Sequence, residues 1–341
     1  MSTYLNVHQI PLVVEGITEV NITEPLRTEY LNFNHLLGSV TASSSTSISS
    51  LFHVDQIETL GCKPAIVKND ADGLIPSDLS NVLCSWNEAT SGPRPKLLYC
   101  VPNGGNPTGA NLTLERRKEV YALARKYDLL IIEDDPYYML QYTRPLIPSL
   151  LSLDVDGRVL RCDSLSKVMA AGIGPKYPIG RWKTKQNARV GYLCGPKQFL
   201  KQFHEWKEAQ TLRNGLTETI MWKVLQNMGH DGYIEHGCRV ANFYHQRAQR
   251  ASMTAEKHLK GLAEWSAPQA GMFLWMKLLG VEDSRPVCQK LIQKGAVVVQ
   301  GHIFCPASVN SPYIRVSFSS ASDEEMDKAF AWLAEILKEQ S

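Results

Sequence analysis

The chain lacks any cysteine arrangement that would form a framework. Its eight cysteines (Cys62, Cys84, Cys100, Cys162, Cys194, Cys238, Cys288 and Cys305) include no C-x-x-C pair, and no His/Cys cluster has zinc spacing. Several sit in apolar runs such as Leu97-Leu98-Tyr99-Cys100-Val101 and read as buried thiols, which suits a reducing compartment. Also missing is any apolar run near the roughly 20 residues of a membrane helix. The first residues show no basic segment followed by an apolar stretch, so no secretory signal is expected. They are poor in Arg and hold Glu15, Glu19 and Glu24, which argues against a mitochondrial transit peptide. A net charge of +2 over 341 residues provides no broad field for nucleic acid or an anionic membrane.

What is present is ordinary globular composition, 44% hydrophobic and 21% charged, at a length that suits about two domains. Residues 1–50 stand apart. Their apolar residues keep no period, and residues 41–50 are a Ser/Thr-rich stretch read as loop or disorder. From residue 51 a strand–helix alternation begins. Strands are expected at 64–68, 96–101, 129–132, 158–161 and 190–194, with helices over 76–87 and 113–127. In the second helix Leu114, Val120, Tyr121 and Ala124 share one face. Near-continuous apolar strands between amphipathic helices indicate a mainly parallel sheet covered on both faces. Beyond residue 196 the pattern predicts long helices over 196–228 and 231–260, then strands near 271–277, 295–300 and 313–318. A last helix opens at Ser322, where Glu325 completes a capping box.

Three loops follow predicted strands and carry chemistry. Pro102-Asn103-Gly104-Gly105-Asn106-Pro107-Thr108-Gly109 is a tight turn at a strand end, where open α/β sheets bind ligands. Alone it reads as a plain connection. Glu133-Asp134-Asp135 ends a buried strand with three acids, which calls for a cation, a metal or a protonated ring nitrogen, or else for solvent. Asp163-Ser164-Leu165-Ser166-Lys167 puts an amine beside two hydroxyls. That suits a Schiff base next to a phosphate, or a surface lysine.

The ordered set goes further than its members. N-P-T-G at 106–109, D-x-x-Y at 134–137, S-x-S-K at 164–167, Arg189-Val190-Gly191-Tyr192, and Tyr313-Ile314-Arg315-Val316-Ser317-Phe318 resemble the class I/II aminotransferases of fold-type I. Residues 131–138, 154–159, 271–275 and 317–322 are similar to the kynurenine/α-aminoadipate aminotransferases within them. The resemblance implies pyridoxal 5'-phosphate as cofactor and no metal. Lys167 matches the Schiff-base lysine, and Asp134 the carboxylate that faces the ring nitrogen. Asn106 and Tyr137 match the groups on the ring oxygen, and Ser164, Ser166 and Arg189 match phosphate ligands. Arg315 matches the grip on the substrate carboxylate, and Asn106 is counted with it among the substrate-binding residues. Implied partners are small molecules, an amino acid and a 2-oxo acid, in a homodimer, without nucleic acid or membrane. The implied compartment is the cytoplasm or the mitochondrial matrix.

The expected architecture is α/β. It has a mainly parallel large domain over residues 51–215, N-terminally incomplete against the family, and a smaller C-terminal α/β domain over 216–341. The family's phosphate-cupping Gly/Ser loop and its ring-stacking aromatic have no copy in residues 1–50. Residues 174–188 are an insert where the family runs straight on, and Arg181 within it could stand in for Arg189. Gln300 and His302 replace a Pro-Gly-Asn-type turn. Two other readings use the same residues: an impaired isoform that acts only by pairing with a full-length subunit, and a different fold-type I reaction.

Overall fold

The computed structural model describes residues 39–43, 63–169, 191–210, 215–305 and 309–339. The first sheet is built from β1 (Ser39–Ser43), β2 (Lys63–Val67), β5 (Leu97–Cys100), β6 (Leu130–Asp134), β7 (Val159–Ser164) and β8 (Gly191–Cys194). A small hairpin, β3 (Asn69–Asp70) and β4 (Gly73–Leu74), precedes β5. The spatial order is β2-β1-β5-β6-β7-β8; all neighbours are parallel except β8, which runs antiparallel to β7. The expected mainly parallel sheet is therefore present.

One difference concerns residues 1–50. The backbone of Ser39–Ser43, in the segment expected to be poorly ordered, is a strand inside the sheet, between β2 and β5. The physical reason is that pairing on both sides satisfies its backbone groups. A serine-rich composition carries no period that would announce this.

Helices cover both faces. Helices α1 (Pro76–Cys84) and α3 (Leu114–Tyr127) pack Leu79, Leu83, Val120, Tyr121 and Ala124 against Leu98, Cys100, Ile131 and Val159. Between them lies the short α2 (Glu88–Ser91). Thr113 caps α3 by accepting from the Arg116 amide at 3.3 Å. On the opposite face, Phe199 of α4 (Lys197–Gln210) closes over Leu97, Tyr99, Leu130 and Leu160.

The second sheet has the order β11-β12-β10-β9, from β9 (Ala263–Trp265), β10 (Phe273–Leu278), β11 (Val299–Gln300) and β12 (Tyr313–Ser317). Three helices cover it: α5 (Gly215–Leu259), which breaks at Gly229 (φ 68°), α6 (Arg285–Lys294) and α7 (Asp323–Lys338). In α7, Met326, Phe330, Leu333 and Leu337 form one buried stripe at helical spacing. The capping box is closed: the Ser322 amide donates to Glu325 at 2.7 Å and the Glu325 amide to Ser322 Oγ at 3.2 Å.

The two sheets are stitched at one seam. Gln141 bridges Ala270, the Tyr142 amide donates to Gln269 O at 3.0 Å, and Tyr142 Oη donates to Gly271 O at 2.8 Å. Across the seam lies the loop after β5. Gly104 has φ 53°, and a Cβ there would sit 2.7 Å from the Gly271 backbone; one on Gly109 would sit 2.8 Å from Phe273 O. Only glycine permits both the left-handed turn and this approach. Gly104→Ala is expected to destabilise the chain by roughly 2–4 kcal/mol, from strain plus overpacking. Urea unfolding followed by tryptophan fluorescence measures it; an unchanged midpoint would mean that the seam yields freely.

Candidate active site

Strand periodicity explains how one edge serves two purposes. The registers Tyr99↔Ile132, Ile132↔Leu160 and Asp134↔Cys162 put Tyr99, Asp134, Cys162 and Ser164 on one face. Cys100, Glu133, Arg161 and, by alternation, Asp163 lie on the other. The C-terminal ends of three adjacent parallel strands thus deliver Asn106 after β5, Asp134 at the end of β6 and Tyr137 after it, and Ser164 at the end of β7 with Ser166 and Lys167 after it.

On the first face Asp134 Oδ2 accepts a hydrogen bond from Tyr99 Oη at 2.5 Å. Ser164 Oγ donates to Ser166 Oγ at 3.0 Å, and the Ser166 amide donates to Ser164 Oγ at 3.2 Å. The Lys167 Nζ, half-buried in the turn after β7, stands 6.0 Å from the Tyr137 ring centroid. Tyr137 is buried, and burial holds its hydroxyl well above the usual phenol range; the charge of Asp134 adds to this and that of Arg315 opposes it.

Arg315 arrives from the second sheet. Its guanidinium donates to Asn106 Oδ1, a partner 209 residues away in sequence. The guanidinium lies 4.2 Å from the Phe273 ring centroid and 5.0 Å from that of Phe304. Trp275 stacks on Tyr313 at 5.1 Å and meets Phe304 edge-on at 5.7 Å, so an aromatic wall backs the cation. Among the described residues Arg315 Nε is buried without a hydrogen-bond partner. Burial lowers the guanidinium from its ordinary range, against the pull of Tyr137. A buried donor of this kind is satisfied when a ligand carboxylate engages the fork.

The reverse face holds charges of a different kind. Arg161 contacts Asp135 at 3.2 Å and Asp163 at 2.6 Å, and its guanidinium lies 4.6 Å from the Tyr138 ring centroid. Asn103 donates to Asp135 at 2.7 Å and accepts from Arg117 at 2.6 Å. Arg117, fully buried, also reaches Leu112 O and Pro148 O. Glu133 accepts the Leu150 and Leu151 amides at 2.7 and 3.0 Å. The three consecutive acids therefore separate: Glu133 and Asp135 tie down loops, and Asp134 alone faces the site. Burial pushes Asp135 up to about 8, opposed by Arg161.

The structure brings Asn106, Asp134, Tyr137, Ser164, Ser166, Lys167 and Arg315 to this region. Arg189, Arg181 and the 174–188 insert lie outside the described residues. Gln300 and His302 are placed at the end of β11 and in the 3-10 turn that follows it. Sequence reading missed Tyr99, Asn103, Arg117 and Arg161. The available signals were a tyrosine inside an apolar strand, whose hydroxyl needs a partner, and an arginine on the buried face of a helix. Among the described residues no cluster of His, Cys, Asp or Glu could hold a metal ion, and no helix is long and apolar enough to cross a membrane.

The residues fit pyridoxal phosphate. A carboxylate, an amine and paired hydroxyls share one edge, and an arginine with a buried unsatisfied donor faces it. Sheet order and strand-end site define an α/β protein of fold-type I. The family described as "Aminotransferase class I and II" matches residues 46–333, and the chain belongs to it. It is 40% identical over 293 residues to the mitochondrial kynurenine/alpha-aminoadipate aminotransferase of Bos taurus, covering 84% of this chain and 65% of that protein. The chain thus spans about two thirds of the length of such relatives. The aromatic aminotransferase Aro9 of Candida albicans superposes with a TM-score of 0.76 at 28% identity, over 89% of this chain and 69% of that one. A Pyrococcus horikoshii kynurenine aminotransferase gives 0.77 at 23% identity, over 91% and 74%, a likeness of fold.

Proposed function

We propose that this chain is a pyridoxal-phosphate-dependent aminotransferase. It passes an amino group from 2-aminoadipate, kynurenine or another aromatic or long-chain amino acid to a 2-oxo acid such as 2-oxoglutarate, and works as a homodimer in the cytoplasm or mitochondrial matrix. The observation that carries this reading is the convergence of Asn106, Asp134 with Tyr137, and Ser164 to Lys167 at three adjacent strand ends, with Arg315 seated on Asn106 from the second sheet. The 40% identity to a kynurenine/alpha-aminoadipate aminotransferase supports the substrate class.

When bound, the cofactor supplies an aldehyde that links to amines and a ring that delocalises the electron pair left on the substrate Cα. The chain does the rest. Asp134 would hold negative charge against the ring nitrogen. Asn106 and Tyr137 would hydrogen-bond the ring oxygen, and Ser164, Ser166 and, by the resemblance, Arg189 would bind the phosphate. Arg315 holds the substrate carboxylate by two parallel bonds, which orients the Cα–H bond for cleavage. With the cofactor bound, the Lys167 Nζ would be the base that takes the proton from the substrate Cα and, as the ammonium, the acid that gives it to the carbon bearing the cofactor's former aldehyde. The aromatic wall of Phe273, Phe304, Trp275 and Tyr313 suits an aromatic or long apolar side chain.

The test is direct. Purified chain with added cofactor is expected to show a visible band that bleaches on adding 2-aminoadipate or kynurenine, and to make glutamate from 2-oxoglutarate. A chain that binds cofactor but releases only elimination or decarboxylation products overturns transamination; one with no band overturns the enzyme reading.

A further inference from the structure

We propose that Tyr99 is a positioning residue for the cofactor ring, acting through Asp134, an inference that rests on the reading just given. Tyr99 sits in the middle of β5, 4% exposed, packed with Leu97, Leu130, Leu160 and Phe199. Its ring belongs to that core, but its hydroxyl does not. The register places Tyr99 beside Ile132, one alternation short of Asp134 on the same face, so the phenol reaches along the sheet to the carboxylate. The Tyr99 Oη–Asp134 Oδ2 separation is 2.5 Å, within the range of a charge-assisted O–H···O bond.

Two consequences follow from this geometry. First, the hydroxyl stays a donor. Burial, then the charge of Asp134, holds Tyr99 well above the usual phenol range, so it keeps its proton throughout the working pH range. Second, the bond fixes the rotation of the carboxylate. Asp134 ends β6 where the chain leaves the sheet, and an aspartate there has a soft terminal torsion. With Oδ2 held by Tyr99, the carboxylate plane is fixed, and a ring nitrogen would meet it in one orientation. The acid contributes its charge, and the strand next door aims it.

A role in aiming Asp134 differs from a role in packing in one measurable way: it matters only to a ligand with a nitrogen at that ring position. The experiment compares pyridoxal phosphate with its 1-deaza analogue, which carries carbon there and keeps the aldehyde and phosphate. Dissociation constants come from quenching of intrinsic fluorescence in wild type, Tyr99→Phe, Asp134→Asn and the double variant. Tyr99→Phe is expected to weaken pyridoxal phosphate roughly tenfold or more, the scale of a hydrogen bond to a charged group. It is expected to leave the deaza analogue within about twofold, as one methylene-scale repacking change allows. In the Asp134→Asn background the Tyr99→Phe effect is expected to vanish, since the double-mutant cycle isolates the pair.

Equal weakening of both ligands, or no change for either, overturns the proposal and leaves Tyr99 as packing. Tyr99→Leu serves as a second variant without a donor. The readout is the ratio of the two affinities, so a packing loss common to both ligands cancels. If wild type itself shows no Lys167-dependent binding of pyridoxal phosphate, the enzyme reading falls and this one with it; binding in wild type with an unchanged ratio in Tyr99→Phe sinks this one alone.

Discussion

Lys167→Ala is expected to abolish the visible cofactor band and to lower turnover roughly 10⁴-fold or more, since one amine serves as both covalent anchor and proton carrier. The site around it explains the size of the effect. Lys167 lies in the turn directly after β7, and its Nζ stands 6.0 Å from the ring centroid of Tyr137, which leads from β6. In the reading proposed here, no other amine among Asn106, Asp134, Tyr137, Ser164, Ser166 and Arg315 can take its place. Lys167→Arg keeps the positive charge but is expected to fail equally, because a guanidinium holds its proton and does not form the link. The fold is expected to survive, because the side chain is only half-buried in a turn. Circular dichroism and the thermal midpoint of the cofactor-free protein should match wild type. Residual turnover within tenfold of wild type would remove Lys167 from the chemistry.

The second large effect falls on stability. Arg161→Met is expected to cost up to about 3–5 kcal/mol, because it leaves Asp135 and Asp163 buried without their cation, with the full cost reached where both would be ionised in the wild type. The pH dependence has a definite sign. Burial raises Asp135 from 3.8 to about 8 even with Arg161 present, and removing the arginine raises it further. Between those values the folded state binds more protons than the unfolded one, so stability falls as pH rises. Wild type and variant share that slope up to about pH 8; above it Asp135 ionises in the folded wild type, beside Arg161, but not in the variant, so the deficit of the variant should grow as pH rises beyond about 8, and chemical denaturation on both sides of that pH measures it. Adding Asp135→Asn should recover part of the loss by removing one stranded charge. A deficit independent of pH would show that Arg161 contributes packing and its contact with the Tyr138 ring rather than charge.

These two residues show what local sequence can and cannot convey. Lys167 was legible because a hydroxyl–x–hydroxyl–lysine run after an apolar strand recurs in a known order with 106–109, 134–137 and 313–318. Arg161 was not, because nothing near it in sequence distinguishes a buried arginine from an exposed one. Its partners Asp135 and Asp163 lie on a neighbouring strand and two residues ahead. Arg117 is a sharper case. It takes the buried helix position next to Val120, Tyr121 and Ala124, where a period count expects an apolar residue. A cation is tolerated there only because Leu112 O, Pro148 O and Asn103 converge on it.

The sequence by itself determined the strands and helices that carry a period, the closed capping box of Ser322 and Glu325, and the strand ends where reactive side chains gather. Such features depend on residues within a turn or a strand of one another, so the pattern that encodes them is contiguous. Tertiary structure alone decided the rest: the place of Ser39–Ser43 within the sheet, the antiparallel β8, the sorting of Glu133, Asp134 and Asp135 to opposite faces, and the meeting of Arg315 with Asn106. Those outcomes depend on which strands become neighbours and on how closely two glycine backbones can approach. Energies of that kind belong to pairs far apart in the chain, and no local stretch records them.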